Sequence, residues 1–156
     1  MNAKKLKNVS DHLALFFDAI SNQYSLRTLK SFKTNEIVQT FMAKEYLTEP
    51  TYLSVQVSDT QHIHLKPEFL QYTNHSCEPN IFFDTEHGEI IALRDIAIGE
   101  EIRFFYPATE WKMAEAFRCF CHTESCLGTI QGANYLSPDS IKKYRFTKHI
   151  KEKLAQ

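Results

Sequence analysis

The chain has 156 residues, of which 43% are apolar, so it is long enough for one well-buried core and has the usual size of a single domain. Its formal net charge of -1 argues against nucleic-acid binding as the main function. No stretch is apolar enough to span a membrane, and no apolar run follows the basic residues 4–7. We therefore expect an intracellular protein, in the cytoplasm or in the nucleus or nucleoid. The sequence indicates no oligomeric state.

The N-terminal half and the middle of the chain contain short, strand-like segments. Residues 10–20 mix helical and strand periodicity, which leaves a strand and a short helix both open. Residues 24–32 and 37–41 flank a turn-like segment and predict a pair of strands. Four further segments are short and rich in β-branched or aromatic residues, namely 51–57, 61–65, 80–83 and 89–93. The pattern predicts a mainly β fold with short helices.

The segment before the C-terminal cysteines changes character. Residues 95–106 indicate a turn at Gly99 that leads into a strand ended by Pro107. Residues 109–117 predict a helix, because Thr109 can cap it and the apolar residues that follow recur at helical spacings. Near the C-terminus, Ser137 followed by proline predicts a second helix that continues into a basic tail.

Four cysteines form the most informative pattern of the chain. Cys119, Cys121 and Cys126 make a Cys-x-Cys-x4-Cys cluster, and Cys77 lies far upstream. Four thiolates suit a tetrahedral Zn2+ site, which would bring residues 74–80 against the C-terminal cluster. Disulfides would need an oxidising compartment, for which nothing marks the chain. Unrelated free thiols, or a thiolate redox or metal sensor, stay open as alternatives.

Three motifs follow one another in a specific order. They are Asn-His-Ser-Cys-Glu-Pro-Asn at residues 74–80, Gly-Glu-Glu-Ile-Arg-Phe-Phe-Tyr at 99–106, and Cys-Phe-Cys-His-Thr-Glu-Ser-Cys-Leu-Gly at 119–128. Together they resemble a SET-domain protein lysine methyltransferase with a post-SET zinc segment, in a compact form without a pre-SET region. The resemblance covers about residues 24–133. It implies a SET domain at 1–118, a post-SET zinc segment at 119–133 and a C-terminal helical basic tail at 134–156.

The resemblance implies a SET (β-clip) fold of small sheets, in which residues 74–80 and the strand ending at Tyr106 cross in a knot-like arrangement. S-adenosyl-L-methionine would bind on one face. The lysine of a protein or peptide substrate, such as a histone or a histone-like protein, would enter a narrow channel from the other face. Alignment of the amine with the methyl group would supply much of the rate, and a desolvated channel would lower the pKa of the lysine.

The resemblance also implies roles for individual residues. Tyr106 would orient the reactants and stabilise charge, and Phe104 would leave room for di- or trimethylation. Asn74 would hydrogen-bond the methionine part of the cofactor, and the backbone of His75 would contact its adenine. The implied cofactor-binding positions are Asn74, His75, Tyr72, Leu127 and Trp111, and the implied zinc ligands are Cys77, Cys119, Cys121 and Cys126.

Plain structural roles compete with these assignments. Tyr106, Phe104, Leu127 and Trp111 are apolar or aromatic residues of the kind that pack in cores. Asn74 and His75 could instead satisfy buried backbone groups. Moreover, residues 22–28 contain no glycine where the family has a Gly-x-Gly loop that lets the backbone approach the cofactor. A non-catalytic, zinc-stabilised interaction module therefore stays open beside the enzyme.

Overall fold

Small sheets and a few short helices make up the fold, as the sequence pattern predicts. The structure is a computed structural model that describes residues 2–156, and Met1 lies outside it. The strands of the described residues are β1 Ala3–Asn8, β2 Leu13–Asp18, β3 Gln23–Thr28, β4 Ile37–Thr40, β5 Met42–Leu47, β6 Val55–Gln56, β7 His62–Lys66, β8 Asn74–His75, β9 Ile81–Asp84, β10 Glu89–Ala92, β11 Arg103–Phe104, β12 Phe117–Arg118 and β13 Thr129–Ile130. The α-helices are α1 Pro138–Lys143 and α2 Lys148–Leu154.

Strands β1, β2 and β3 pair in chain order as an antiparallel meander. Ser10 accepts hydrogen bonds from the backbone N–H groups of His12 and Leu13, which shapes the turn into β2. Residues 13–18 are therefore a strand, and the open choice for residues 10–20 resolves in favour of β structure. Leu13, together with Leu26 of β3, is fully buried and directs this sheet into the central core.

The two strands predicted around the turn at residues 33–36 are present, but they do not pair with each other. Strand β3 pairs with β2, whereas β4 pairs with β10 in the sheet β4-β10-β9. Asn35 at the turn has a φ of 72°, and Phe32 forms an isolated bridge with Ile96 instead of continuing a hairpin. The buried Val38 of β4 packs in the central core, so tertiary packing selects a partner far away in sequence.

A third sheet has the order β5-β7-β6. Strand β7 confirms the strand predicted at residues 61–65, but the strand predicted at 51–57 is reduced to Val55 and Gln56. Residues 51–54 form a turn instead, because the Ser54 N–H donates to the Thr51 carbonyl and the Thr51 N–H donates to the Ser54 hydroxyl oxygen.

The sequence motifs at residues 74–80 and 99–106 lie side by side in the fold. Strand β8 pairs in parallel with β11, joining residues 74–75 to 103–104. Asn80 stabilises this pairing, since its Oδ1 accepts the Arg103 N–H at 2.8 Å and its Nδ2 donates to the Glu101 carbonyl at 2.8 Å. The predicted turn at Gly99 is confirmed, with a φ of 83°.

The helix predicted at residues 109–117 is wrong. A short 3-10 turn at Tyr106–Ala108 ends at Thr109, and the chain then runs irregularly to β12. The backbone groups of this segment bond to residues 131–134 instead of to one another, as in the bonds from Met113 N–H to the Gln131 carbonyl and from Ala133 N–H to the Glu110 carbonyl. Long-range pairing thus overrides local helix propensity.

The C-terminal tail is helical, as predicted, but it forms two helices. Ser137 caps α1 by accepting the Ser140 N–H, and Thr147 caps α2 by accepting the Ile150 N–H. Tyr144 between them has extended backbone angles, which end the first helix. Ile150 is fully buried and anchors α2 in a second apolar cluster with Phe105.

Candidate active site and metal centre

A cleft of about 880 Å3 opens beside the β8/β11 pair. Segments far apart in sequence supply its walls, including Ser25 of β3, Asn74 of β8, Phe104 of β11, and the residues Tyr106 and Glu110 beyond it. The parallel pairing of β8 with β11 brings these groups together, so the local fold of two short motifs shapes the cleft.

Asn74 is held in place by its amide nitrogen. Its Nδ2 donates to the Tyr24 carbonyl at 2.8 Å and to Glu101 Oε2 at 3.2 Å. Within residues 2–156 its Oδ1 accepts no hydrogen bond, which leaves one acceptor of an oriented amide for a ligand of the cleft. The bond to Tyr24 also ties Asn74 to the glycine-free segment at residues 22–28.

The side chain of His75 connects the cleft to the cysteines. Its Nδ1 accepts the backbone N–H of Tyr106 at 3.0 Å, and its Nε2 lies 3.4 Å from Cys77 Sγ. Burial, with the nearby charge of Arg103, lowers the pKa of His75 to about 3, so the ring is neutral. Because Nδ1 is an acceptor, the ring hydrogen is on Nε2 and points at the sulfur. The resemblance implied a role for the His75 backbone only. It did not predict that the His75 side chain bridges Tyr106 N–H and Cys77 Sγ.

Tyr106 is held at both ends. Its backbone N–H donates to His75, and its hydroxyl donates to the Thr73 carbonyl at 2.9 Å. The ring packs edge-on against Phe117, with centroids 5.7 Å apart. Burial raises the pKa of the Tyr106 hydroxyl, and the charges of Glu101 and Glu110 raise it further, so the group remains a protonated donor at neutral pH.

Phe104 connects the cleft to the central core. Its ring lies 4.6 Å from the ring of Tyr106 and 4.4 Å from that of Phe83, measured between centroids. It is 7% exposed, yet it lines the cleft. The same side chain therefore packs in the core and forms a floor beside Tyr106.

Three other implied cofactor residues lie outside the cleft lining. Tyr72 packs against Tyr24 with the rings tilted by 38° and their centroids 4.7 Å apart. Trp111 packs in the C-terminal apolar cluster, where the Lys153 ammonium lies 5.0 Å from its ring centroid. Leu127 is 38% exposed, and its backbone N–H donates to Cys77 Sγ at 3.3 Å.

Charged groups of both signs line the cleft. Glu101 forms an ion pair with Arg103 at 2.9 Å, and Arg27 lines the same wall. Hydrogen bonding to Glu101 raises the pKa of Arg103, so its positive charge is fixed. A ligand with an ammonium group and a carboxylate would find complementary charges here.

Glu110 is a cleft residue that the sequence analysis missed. It is 6% exposed, and burial raises the pKa of its carboxyl group to about 7. The helix predicted at 109–117 concealed it, since a glutamate just after a Thr cap is a common helix-start residue. The available sequence signal for this residue was a glutamate four residues after the motif tyrosine Tyr106.

The four cysteine side chains converge as predicted. Their sulfur atoms all lie within 4.8 Å of one another, and Cys77 Sγ lies 3.9 Å from Cys119 Sγ. Tetrahedral Zn2+ with bonds of 2.3 Å places sulfurs about 3.8 Å apart, so the donor set and its spacing fit zinc. All four cysteines are free thiols, which excludes the disulfide alternative in this structure.

The surroundings of the thiols favour one pre-formed thiolate. Burial pushes the pKa of Cys121 upward, but hydrogen bonds from Thr123, whose hydroxyl lies 3.2 Å from the sulfur, and from backbone groups outweigh it and hold the value at about 6. Burial raises the pKa of Cys77 to about 11. A bound cation would reverse this rise, because metal ligation deprotonates thiols.

No helix among residues 2–156 is long and apolar enough to cross a membrane.

Comparison with known proteins gives consistent findings. A family model described as the SET domain matches residues 11–107. Methyltransferase flvH of Aspergillus flavus is 40% identical over 107 residues, which is 67% of this chain and 60% of that protein. The H3 lysine-36 specific histone-lysine N-methyltransferase of Saccharomyces cerevisiae is 34% identical over 83 residues, or 49% of this chain and 11% of that protein. The chain thus spans less than two thirds of the length of these relatives.

Solved structures show the same fold at low identity. KRYPTONITE in complex with mCHH DNA, an H3(1-15) peptide and SAH superposes with a TM-score of 0.56 at 17% identity, covering 75% of this chain and 29% of that one. KRYPTONITE with mCHG DNA and SAH gives a TM-score of 0.55 at 16% identity, covering 68% and 26%.

Proposed function

The chain belongs to the SET-domain family, a family of methyltransferases, and we propose that it transfers methyl groups from S-adenosyl-L-methionine to lysine side chains of a protein. The observation that carries this proposal is the cleft itself, where Asn74, Phe104 and Tyr106 meet although they come from separate motifs. The family match confirms the resemblance that these motifs carry.

Residues of the cleft suit the charged end of S-adenosyl-L-methionine, which supplies an electrophilic methyl group on a sulfonium. The free Oδ1 of Asn74 and the carboxylate of Glu101 would accept hydrogen bonds from its ammonium group. Arg103 and Arg27 would attract its carboxylate. The backbone of His75 remains the proposed adenine contact. Positions outside the cleft lining make Tyr72, Leu127 and Trp111 weaker candidates.

Tyr106 is the proposed catalytic residue. Its hydroxyl is fixed by Thr73 and stays protonated, so it can orient the target amine and interact with charge that changes during transfer. Phe104 lies beside it and has no hydroxyl to hold a water molecule there. We therefore propose that the cleft accepts an amine already bearing a methyl group, so that the products are di- or trimethyl-lysine.

Zinc is the proposed structural metal of the cysteine cluster. The ligands would be Cys77, Cys119, Cys121 and Cys126, a closed set that leaves no position for a substrate. Such a site would stabilise the fold and hold residues 119–122 at the cleft. Reduced thiolates persist in reducing compartments, so this proposal agrees with an intracellular location in the cytoplasm or in the nucleus or nucleoid.

The proposed substrate is a lysine-containing protein or peptide. Relatives named as histone-lysine N-methyltransferases and a neighbour solved with an H3(1-15) peptide support this class. Tyr52 and Phe120, which are 84% and 69% exposed, stand at the cleft and offer apolar contacts to the residues flanking the lysine.

A non-catalytic interaction module is the second candidate, and the glycine-free segment at residues 22–28 favours it. Tyr24 and Ser25 of this segment line the cleft, where their side chains take up room that a glycine would leave open. If these side chains close the pocket, the protein folds and binds zinc without binding S-adenosyl-L-methionine.

A methyl-transfer assay tests the proposed function. The zinc-loaded protein is incubated with S-adenosyl-L-methionine carrying a tritiated methyl group and with core histones, ribosomal proteins and fractionated cell extract. We expect label on protein, with dimethyl- or trimethyl-lysine in the digested product by mass spectrometry. Only monomethyl-lysine would contradict the assignment of Phe104. Absence of label from every fraction, in protein shown to be folded, would favour the interaction module.

A further inference from the structure

Glu110 is a buried carboxyl group in the cleft wall for which the proposed function provides no role. Its backbone N–H donates to the Tyr106 carbonyl at 3.1 Å, and both residues line the cleft. The negative charge of Glu110 is also one of the influences that raise the pKa of the Tyr106 hydroxyl. The carboxylate is therefore close enough to act on the group proposed to orient the substrate.

One oxygen of this carboxylate is held and the other is free. Oε2 accepts the Gln56 N–H at 2.9 Å and the Thr109 hydroxyl at 2.6 Å. Within residues 2–156, Oε1 accepts no hydrogen bond, and it is not among the atoms sealed from solvent without a partner. Buried carboxylates are normally paired, so a fixed carboxylate with an open oxygen is a ready acceptor for a cationic donor.

No cation of the described chain occupies that oxygen. Gln56 and Thr109, which hold the carboxylate, are neutral. From α2, Lys153 is ion-paired with Asp59 at 2.8 Å and lies over the ring of Trp111. Arg103 is ion-paired with Glu101. A cation that pairs with the ionised form of Glu110 would therefore come from a ligand.

We propose that Glu110 is a catalytic base, whose Oε1 binds the ammonium group of the incoming substrate and accepts one of its protons. The inference rests on the proposed function of the same cleft and deepens it. The N–H bond of the ammonium breaks, an O–H bond forms on Oε1, and the nitrogen keeps the electron pair with which it attacks. The proton passes later to water.

Burial favours this direction of transfer. A desolvated site penalises both the ammonium and the carboxylate, and the products of the transfer are a neutral amine and a neutral acid. Burial raises the pKa of Glu110 to about 7, close to the pH at which a general base works best. The desolvated channel and Glu110 would then both favour the neutral amine, which is the form that attacks the methyl group.

The first test uses n-butylammonium as a probe, because its four-carbon chain carries the ammonium of a lysine side chain. The protein is labelled with 13C at glutamate carboxyl groups, and the Glu110 signal is identified by its loss in Glu110→Gln. We expect its titration midpoint near pH 7 to move lower by at least half a pH unit with the probe. n-Butanol, which lacks the charge, is expected to leave it in place, and Glu115→Gln should behave as wild type.

A Glu110 signal that does not respond to n-butylammonium up to 100 mM would overturn the inference, whether the probe binds elsewhere or not at all.

The second test compares rates. Glu110→Gln keeps an oxygen for the Gln56 and Thr109 donors, and we expect it to lower kcat by about 100-fold and to remove the acidic limb of the pH–rate profile near pH 7. A variant within threefold of wild type, with an unchanged profile, would also overturn it.

These outcomes separate the inference from the proposed function. S-adenosyl-L-methionine binding is measured on the same samples. If it binds and methyl transfer proceeds while Glu110 does not respond, the base assignment alone fails. If S-adenosyl-L-methionine does not bind, the proposed methyltransferase function fails, and with it the inference that rests on it.

Discussion

Tyr106 shows how single residues combine structural and chemical roles. Its backbone N–H is held by His75, its hydroxyl by the Thr73 carbonyl, and its ring by Phe104 and Phe117. A side chain held at so many points keeps one orientation in the cleft. Orientation of this kind is the contribution that methyl transfer most needs, since the amine and the methyl group must align.

Removal of the hydroxyl separates its catalytic role from its packing role. Tyr106→Phe keeps the ring contacts and loses only the bond to Thr73, so we expect a loss of about 1 kcal/mol in stability. Methyl transfer is expected to fall by about 100-fold, the effect of deleting one oriented polar group beside the reactants. Rates from the tritium assay and unfolding curves check both. Phe117→Leu, which removes ring contacts with Tyr106 and His75 but no hydroxyl group, is the control. A rate within threefold of wild type would contradict the role of Tyr106.

Glu110 predicts a pH dependence of stability whose sign is fixed. Its pKa rises from 4.5 to about 7 on folding, so between these values the folded protein holds a proton that the unfolded chain has lost. The free energy of unfolding therefore falls as pH rises through this window. Glu110→Gln has no carboxyl group at this position and does not lose stability in this way. The free energy of unfolding of the variant minus that of wild type should therefore rise by about 3 kcal/mol from pH 4.5 to pH 7.

Urea unfolding of wild type and Glu110→Gln at several pH values measures the difference. Glu115→Gln changes an exposed carboxylate on the same segment and is expected to follow wild type at every pH. A difference between Glu110→Gln and wild type that is constant from pH 4.5 to pH 8 would contradict the buried, protonated state of Glu110.

At the scale of elements, the position of residues 110–113 depends on backbone hydrogen bonds with residues 131–134. The bonds from Ala133 N–H to the Glu110 carbonyl and from Asn134 N–H to the Trp111 carbonyl place Glu110 at the cleft. Gly132 allows this approach, because a Cβ there would lie 2.5 Å from the Trp111 carbonyl oxygen and its φ is 120°. No side chain fits between the two segments.

Gly132→Ala is expected to destabilise the protein by more than 2 kcal/mol, since it adds a steric clash with backbone to conformational strain. Gly99→Ala is the matched control, because Gly99 also has a positive φ but has open space around its Cβ position. We expect the control to cost about 1 kcal/mol. Thermal unfolding of both variants measures this, and equal losses would contradict the packing of the two segments.

The same elements show what could be predicted from sequence. The motifs at residues 74–80 and 99–106 predicted their own juxtaposition, because a resemblance carries long-range contacts that local patterns do not. Residues 109–117 have helical spacing and a capping threonine, yet they pair with residues 131–134, and no local signal encodes that partner. Glu110 was missed for this reason. The sheet partners of β3 and β4 were not predicted either, since period-2 patterns specify strands and not their neighbours.

At the scale of the whole molecule, the cysteine cluster joins parts of the chain that are far apart. Cys77 follows β8, Cys119 and Cys121 line the cleft, and Cys126 follows them in the chain. His75 bonds both to Cys77 Sγ and to Tyr106 N–H, so a single side chain connects the cluster to the proposed catalytic residue. Zinc binding would therefore stabilise the fold and the active site together.

Zinc removal is expected to lower stability and abolish methyl transfer. With free zinc at a thousandfold excess over its Kd, its contribution to the unfolding free energy is about 4 kcal/mol. Metal analysis should give one zinc per chain in wild type and less in Cys126→Ser. Ser125→Ala, which removes the hydroxyl that bonds Glu78 beside the cluster, should retain the metal. Equal thermal stability with and without a chelator would contradict a structural zinc site.

Calorimetric titration of S-adenosyl-L-methionine into zinc-loaded protein tests the central claim most directly, because it needs no knowledge of the substrate. We predict one binding site in wild type and at least tenfold weaker binding in Asn74→Ala, whose amide is held at the cleft by Tyr24 and Glu101. Thermal unfolding of both proteins controls for folding. A folded, zinc-bound wild type that shows no binding heat at several temperatures would contradict the methyltransferase and leave the interaction module.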